Sequence, residues 1–148
     1  MGYLRRTTRH ATALNVSHIC AAGRQRDIQK FYLAIGMVAS VGQVNAGYLT
    51  NRARGSRRIV EYRRIAHYLS HVVMGLSMMT VARLSHRHHT SIIDTCHVIE
   101  ERRDNPQFDK MLSYAELALI QIDQSLVDDA ATLQQPSAMT HDLPRVQH

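Results

Sequence analysis

From residue 57 onward the apolar positions of this chain recur every three or four residues, which is the period of an α-helix. In the segment RRIVEYRRIAHYLSHVVMGL this spacing predicts one buried helix face, formed by Ile65, Leu69, Val72 and Leu76. Gly75 predicts that this helix ends or turns there. No segment shows the strict alternation of a strand with comparable strength, so the pattern predicts an all-helical core.

Two helices joined by a short turn are predicted next. Ser77 is a suitable N-cap for the short helix MMTVARL, because its hydroxyl can accept from a free backbone N–H group. The stretch RLSHRHHTSI then predicts a turn, and HHTSIIDTCHVIEERRDN resumes the helical period. The residues predicted to face inward are Met78, Val81 and Leu84 on the first helix and Ile92, Cys96 and Ile99 on the second. This order predicts a helix-turn-helix over about residues 77–104.

A last helix is predicted to begin at Asn105-Pro106, with Asn as the N-cap and Pro at the first helical position. Its apolar stripe comprises Phe108, Met111, Leu112, Ala115, Leu119, Ile122 and Leu126. In the N-terminal third, Asp27 is predicted to cap a helix through IQKFYLAIGMV. The buried side of that helix would hold Ile28, Phe31, Tyr32 and Ile35.

The predicted organisation is one helical domain between two flexible tails. Residues 1–26 are predicted to form a basic tail, residues 27–128 the helical domain, and residues 129–148 a disordered tail without hydrophobic period. A Gly-rich passage, GQVNAGYLTNRARGS, leads into the long helix. The predicted fold class is therefore an all-α helical bundle containing a helix-turn-helix.

Composition narrows the class of protein further. Two cysteines are too few for a disulfide framework and fit a reduced, cytoplasmic protein. No segment reaches the roughly 18 uninterrupted apolar residues of a membrane span, and no apolar run follows Arg5 and Arg6 as in a signal peptide. Aromatic residues make up only 5% of the chain, which disfavours a stacking platform for single-stranded nucleic acid.

Charge is distributed unevenly along the chain. Residues 1–90 carry fourteen Arg and Lys against two acidic residues, a net charge of +12, whereas residues 91–148 carry a net charge of −6. A basic half of this kind is typical of proteins that bind polyanions. At the start of the second helix of the predicted helix-turn-helix, polar side chains could meet base edges in the major groove, and free N–H groups could meet phosphates. These side chains are His88, His89, Thr90 and Ser91.

Three short motifs within one block resemble the C-terminal DNA-binding domain, domain IV, of the bacterial replication initiator DnaA. The family has an Arg-Gln helix, a Ser-Leu-x-x-Ile-Gly helix and then Arg-Asp-His-Thr-Thr-Val at the recognition helix. The matching segments here are Arg63-Arg64-Ile65-Ala66, Ser77-Met78-Met79-Thr80-Val81-Ala82 and Arg87-His88-His89-Thr90-Ser91-Ile92. The resemblance covers about residues 56–117, and CHVIEERRDNPQFD is also similar to small stand-alone initiator-like proteins of alphaproteobacteria.

The resemblance implies a TrpR-like helix-turn-helix that binds double-stranded DNA at a site like a DnaA box. It assigns base reading to His88, His89 and Thr90, with Arg87 supporting their turn and contacting phosphate. The loop NRARGSRR corresponds to the family's minor-groove loop, for which the candidates are Arg54 and Arg57. The implied phosphate contacts are Arg52, Arg58, Arg63 and Arg64.

The chain also departs from the family pattern. His88 replaces the family's Asp, and Leu84-Ser85-His86 replaces a glycine-rich turn. The stretch GQVNAGYL has two glycines at P-loop spacing but lacks the Lys and the Ser or Thr that hold phosphate and magnesium. We therefore expect no ATPase, no other enzyme activity, no cofactor and no small-molecule substrate.

Two further hypotheses compete with DNA binding. His67 and His71 stand four residues apart, and three more histidines cluster in RLSHRHHTSI, but a structural zinc site needs four convergent ligands and usually cysteines, so we expect no metal. Alternatively, the chain is an interaction adaptor that acts on the replication initiator or its regulators through its acidic last helix. The sequence leaves open whether replication or transcription is regulated.

Overall fold

The computed structural model describes residues 7–134, with side chains described from Cys20 onward; residues 1–6 and 135–148 lie outside the described range. Its elements are α1 (Thr7–Gly42), α2 (Ala46–Thr50), α3 (Arg57–Val72), α4 (Met78–Leu84), α5 (His89–Arg102) and α6 (Pro106–Leu133). The described range contains no strand, which confirms the predicted all-α bundle. None of these helices combines the length and the hydropathy needed to cross a membrane.

Helix α3 lies at the centre of the bundle and packs against α1, α2, α4 and α5. The core is apolar, and its largest fully buried side chains include Phe31, Leu49, Tyr68, Leu69, Ile92, Ile99, Leu112 and Leu119. Burying such side chains is worth about 1.5–3 kcal/mol each, so these contacts dominate the stability of the bundle.

A polar network ties α3, α5 and α6 together around Tyr68. The Tyr68 hydroxyl donates to Glu100 and accepts from Arg103 Nη1 at 3.1 Å. Arg103 also forms ion pairs at 2.7 Å with Asp109 and Glu116 of α6. Burial and the hydrogen bond to Glu100 raise the pKa of Tyr68 to about 12. The phenol therefore stays protonated and keeps donating at physiological pH.

The helix ends predicted from the sequence are found in the structure. Gly75 has a φ of +69°, which turns the chain after α3 at a position that favours glycine. Ser77 Oγ accepts from the Thr80 N–H at 3.1 Å and caps α4. Asn105 Oδ1 accepts from the Gln107 N–H at 3.0 Å, ahead of Pro106 at the start of α6.

The bounds of the first and last helices differ from the prediction. Helix α1 begins at Thr7 rather than at Asp27, so residues 7–26 of the predicted tail are helical, and α6 continues to Leu133. Residues 7–26 contain no proline, and adding residues to an existing helix is far easier than nucleating a new one. The Gly-rich passage also holds a helix that was not predicted, α2, which Asn45 caps through the Gly47 N–H at 2.7 Å.

Some residues of the predicted apolar stripes are exposed. The predicted burial was wrong for Tyr32 (54% exposed), Val72 (48%), Met111 (41%), Ile122 (39%) and Leu126 (55%). The remaining stripe residues of α6, among them Leu112 and Leu119, are buried or half-buried. The apolar period extends along α6 beyond the part that other helices cover, so periodicity alone overestimated the buried face.

Candidate nucleic-acid interface

The turn between α4 and α5 is compact and fixed by backbone and side-chain hydrogen bonds. The Ser85 hydroxyl donates to the Val81 carbonyl at 2.7 Å, and the Arg87 N–H donates to the Ala82 carbonyl at 2.9 Å. His86 takes a φ of +53°, in the left-handed region that residues other than glycine seldom adopt. Ile92 and Ile99 are buried and hold α5 on the core, so the other side of α5 faces solvent.

The first turn of α5 is exposed and carries no acidic residue. His88 occupies the N-cap position but makes no side-chain capping bond. The four residues predicted to read bases, His88, His89, Thr90 and Ser91, are all exposed. A helix N-terminus carries partial positive charge and free N–H groups, which favour the approach of a polyanion to this turn.

Residues 51–56 form an exposed loop before α3, and Arg63 holds this loop in place. Its guanidinium donates to the carbonyls of Leu49 (3.1 Å), Tyr48 (2.7 Å) and Ala53 (3.1 Å). The residue is only 6% exposed, and burial followed by the charge of Arg87 lowers its pKa. These bonds from Nε and Nη2 give Arg63 a structural role in holding the loop, and its predicted phosphate contact stays a prediction.

Arg87 connects the same loop to the start of α5. Its Nη2 donates to the carbonyls of Arg52 at 3.2 Å and Asn51 at 3.4 Å. The loop and the first turn of α5, which are 35 residues apart in sequence, therefore form one continuous surface.

A cavity of about 570 Å³ between the loop, α3 and α5 is lined by five of the predicted arginines, namely Arg52, Arg54, Arg63, Arg64 and Arg87. We name it the arginine pocket. Ser91 and Asp94 of α5 also line it. Among the described residues, no carboxylate lies within 4.0 Å of any of these five arginines, so no ion pair within that part of the chain compensates their charges.

The remaining two predicted arginines lie on a different surface. Arg57 and Arg58 line a separate shallow cavity with Glu61 and Tyr62. Arg58 donates to the Gly42 carbonyl at 2.9 Å and packs over the Tyr62 ring at 5.5 Å, so it also anchors the end of α1. Arg57 is exposed. The structure thus brings together five of the predicted arginines around the arginine pocket and separates Arg57 and Arg58 from them.

His67 lines the arginine pocket and was not predicted to be a site residue. It is 3% exposed, and its Nε2 has no hydrogen-bond partner among the described residues. Its ring stacks on Phe31 with 6.2 Å between ring centroids. Burial, and then the charges of Arg63 and Arg87, lower its pKa to about 4, so the ring is neutral at physiological pH.

The other histidines that were considered as metal ligands do not form a cluster with His67. His71 Nδ1 donates to the Leu76 carbonyl at 2.7 Å, which supports the turn after α3. Among residues whose side chains are described, no three His, Cys, Asp or Glu side chains are grouped so that they could hold a metal ion.

Comparison with solved structures identifies the fold. The chain is similar to a crystal structure of a DNA replication initiation factor, with a TM-score of 0.64 and 19% identity over 80% of this chain and 38% of that one. It is also similar to the replication initiator DnaA bound to AMPPCP and single-stranded DNA, with a TM-score of 0.60 and 22% identity over 68% of this chain and 31% of that one.

The chain thus spans about a third of the length of these initiator structures. No protein-family model and no curated protein matches the sequence. At such identities the structural similarity shows a shared fold and no more. The chain therefore has a DnaA-related helical fold that matches part of the initiator.

Proposed function

We propose that the chain is a double-stranded DNA-binding protein whose first turn of α5 reads base edges in the major groove. The observation that carries this proposal is the position of His88, His89, Thr90 and Ser91. They are exposed at a helix N-terminus, on the same surface as a loop that carries Arg52 and Arg54. Hydroxyl and imidazole groups can donate or accept at base edges, and arginines compensate phosphates.

The candidate residues divide into two roles. His89 and Thr90 are proposed to contact bases, with His88 and Ser91 beside them at the groove edge. Arg52, Arg54, Arg64 and Arg57 are proposed to contact phosphates or the minor groove, because all four are exposed and bound to no carboxylate in the described part of the chain. Arg87 positions the loop relative to α5.

The biological role proposed here is regulation of replication initiation or of transcription without ATP hydrolysis. The solved initiator carries an ATP analogue and single-stranded DNA, whereas the P-loop-like stretch of this chain lacks the residues that hold phosphate. A module that reads a DnaA-box-like site without a motor could compete with the initiator for its sites. Such a protein would act in the cytoplasm, on the nucleoid.

Fluorescence anisotropy tests the proposed function. A labelled duplex with a DnaA box and a scrambled duplex of the same composition are titrated with the protein over a salt series. We expect tighter binding to the box at every salt concentration, unchanged by a chelator. Equal affinity for both duplexes would contradict base reading, and absence of binding to either would contradict the proposed function as a whole.

A second candidate, an adaptor role, rests on the C-terminal half of α6. Residues 117–133 expose a set of large apolar side chains, namely Leu117, Ile120, Ile122, Leu126, Val127 and Leu133, beside the acidic residues Asp123, Asp128 and Asp129. Exposed apolar residues rimmed by charge are typical of protein-interaction surfaces. Binding of purified replication initiator to the wild-type chain, lost in Leu126→Lys, would favour this role.

A further inference from the structure

The arginine pocket contains a buried polar group without a partner. His67 Nε2 has no hydrogen-bond partner among the described residues, although the side chain is 3% exposed and lines the pocket. Buried polar atoms in folded proteins are almost always paired, and an unpaired one calls for an explanation. Helix α3 places Val60, Arg64 and His67 on neighbouring turns, so the imidazole lies on the helix face that lines the pocket.

The arginines around the pocket also form no ion pair with any described residue. Arg52, Arg54 and Arg64 are exposed, and no carboxylate lies within ion-pair distance of them in the described part of the chain. Asp94 also lines the pocket, but its carboxylate forms no ion pair with these arginines. Several guanidinium groups converging on one concave surface repel each other unless an anion lies between them.

We propose that the arginine pocket is a binding site for a phosphoryl group, with guanidinium groups around the ligand and His67 Nε2–H donating from the pocket floor. Guanidinium groups bind phosphate oxygens in a bidentate manner, which a single ammonium group cannot do. His67 is neutral because burial lowers its pKa to about 4, so one ring nitrogen carries a proton that it can donate. The Ser91 hydroxyl is a further donor at the pocket rim.

The pocket is large enough for a small phosphorylated group. About 570 Å³ lies within the range of small-molecule sites and exceeds the volume of a single phosphate. Either a backbone phosphate of bound DNA or a free phosphate ester could supply the group. The inference does not depend on base reading by α5, because all the cationic groups of the pocket lie on the loop, on α3 and on the turn before α5.

Calorimetric titration with pyrophosphate tests the site in the full-length protein. We expect one pyrophosphate per chain, with affinity reduced about tenfold or more in Arg64→Gln, which removes a bidentate partner. Arg57→Gln is the matched control, since it makes the same charge change on the same helix but outside the pocket. Equal losses in both variants, or absence of pyrophosphate binding to the wild type, would overturn the proposal.

His67→Phe separates a ligand contact from a packing role. Phenylalanine keeps an aromatic ring beside Phe31 and removes the unpaired nitrogen, so the unliganded variant should unfold at the same temperature as the wild type or higher. Pyrophosphate should raise the unfolding temperature of the wild type more than that of His67→Phe. An equal increase in both proteins would show that His67 makes no contact with the ligand and would overturn its assigned role.

DNA titrations with pyrophosphate present identify the source of the phosphoryl group. If pyrophosphate weakens DNA binding by the wild type and by Arg57→Gln, but not by Arg64→Gln, a DNA phosphate occupies the pocket. Simultaneous binding of pyrophosphate and DNA would indicate a free phosphate ester; both results support the pocket. Pyrophosphate binding by a protein that binds no DNA would contradict the proposed function and leave the phosphoryl site standing.

Discussion

Arg63 and Arg64 show how burial separates the roles of two identical neighbouring side chains. Adjacent helix residues point about 100° apart, and here one guanidinium lies under the loop while the other faces solvent. The three carbonyls that Arg63 binds belong to residues 48–53, which the sequence pattern alone could not bring next to α3. The resemblance treated both residues as phosphate contacts, whereas in the structure Arg63 is buried and holds the loop and Arg64 is exposed.

This difference predicts different effects on stability. Arg63→Met should lower the free energy of unfolding by about 2–3 kcal/mol, because it removes charged donors from three carbonyls. Arg64→Met should change it by less than about 0.5 kcal/mol, as is usual for a surface substitution. Urea unfolding of both variants measures these values. Equal effects would contradict the structural role of Arg63.

His67 predicts that the protein loses stability as the solution becomes acidic. Its pKa is about 4 in the folded protein and about 6.5 in the unfolded chain. Between these values the unfolded chain binds a proton that the folded protein does not, so stability is full above pH 6.5 and falls as the pH decreases toward 4. At pH 5 the loss should be about 2 kcal/mol.

Urea unfolding at pH 7.5 and pH 5.0 checks this pH dependence, with His67→Phe as the control. The variant keeps every other titrating group, so its stability should fall less than that of the wild type over the same interval. Identical decreases for both proteins would show that His67 does not titrate as its burial requires.

At the scale of elements, one glycine stabilises the turn between α3 and α4. Gly75 has a φ of +69°, and a Cβ built there meets nothing within 4 Å, so Gly75→Ala introduces backbone strain without a clash. We expect a loss of about 1 kcal/mol. Gly36→Ala, in the interior of α1 with equally free space, should instead raise stability by about 0.5–1 kcal/mol. Thermal unfolding of the pair would contradict this account if both changes had the same sign.

Most helix boundaries could be predicted because their signals are local. Ser77, Asn105 and Pro106 act through hydrogen bonds and dihedral angles within a few residues of themselves. The α1 extension and the exposure of Val72 depend instead on which other helices are nearby. The apolar period identifies which side of a helix can be buried. It does not indicate how far along the helix another helix packs against that side.

At the scale of the whole molecule, folding brings arginines that are distant in sequence together around one pocket. Five arginines of the first 90 positions line one pocket because Arg63 and Arg87 hold the loop of residues 51–56 against α3 and the start of α5. The sequence indicated a polyanion-binding face and the arginines on it. It could not indicate that Arg57 and Arg58 lie outside the pocket, because that depends on the tertiary contacts of the loop. In the sequence, the floor of the pocket was indicated only by the spacing of Val60, Arg64 and His67, which places these three residues on one face of a helix.

The same charge arrangement predicts a salt dependence of DNA binding. If Arg52, Arg54, Arg57 and Arg64 each compensate one phosphate, the logarithm of the binding constant should fall with the logarithm of salt concentration with a slope of about −3 to −4. The slope is measured from DNA titrations between low and physiological salt. A slope near zero would contradict electrostatic contact by these exposed arginines.

The most direct test of base reading compares Thr90→Ala with Arg54→Ala on a DnaA-box duplex and on its scrambled counterpart, by fluorescence anisotropy at several salt concentrations. Thr90→Ala should cost about 1–3 kcal/mol on the box and little on the scrambled duplex, which removes the preference. Arg54→Ala should weaken binding to both duplexes and reduce the salt slope by about one unit. Equal losses on both duplexes from Thr90→Ala would contradict the assignment of α5 as the base-reading helix.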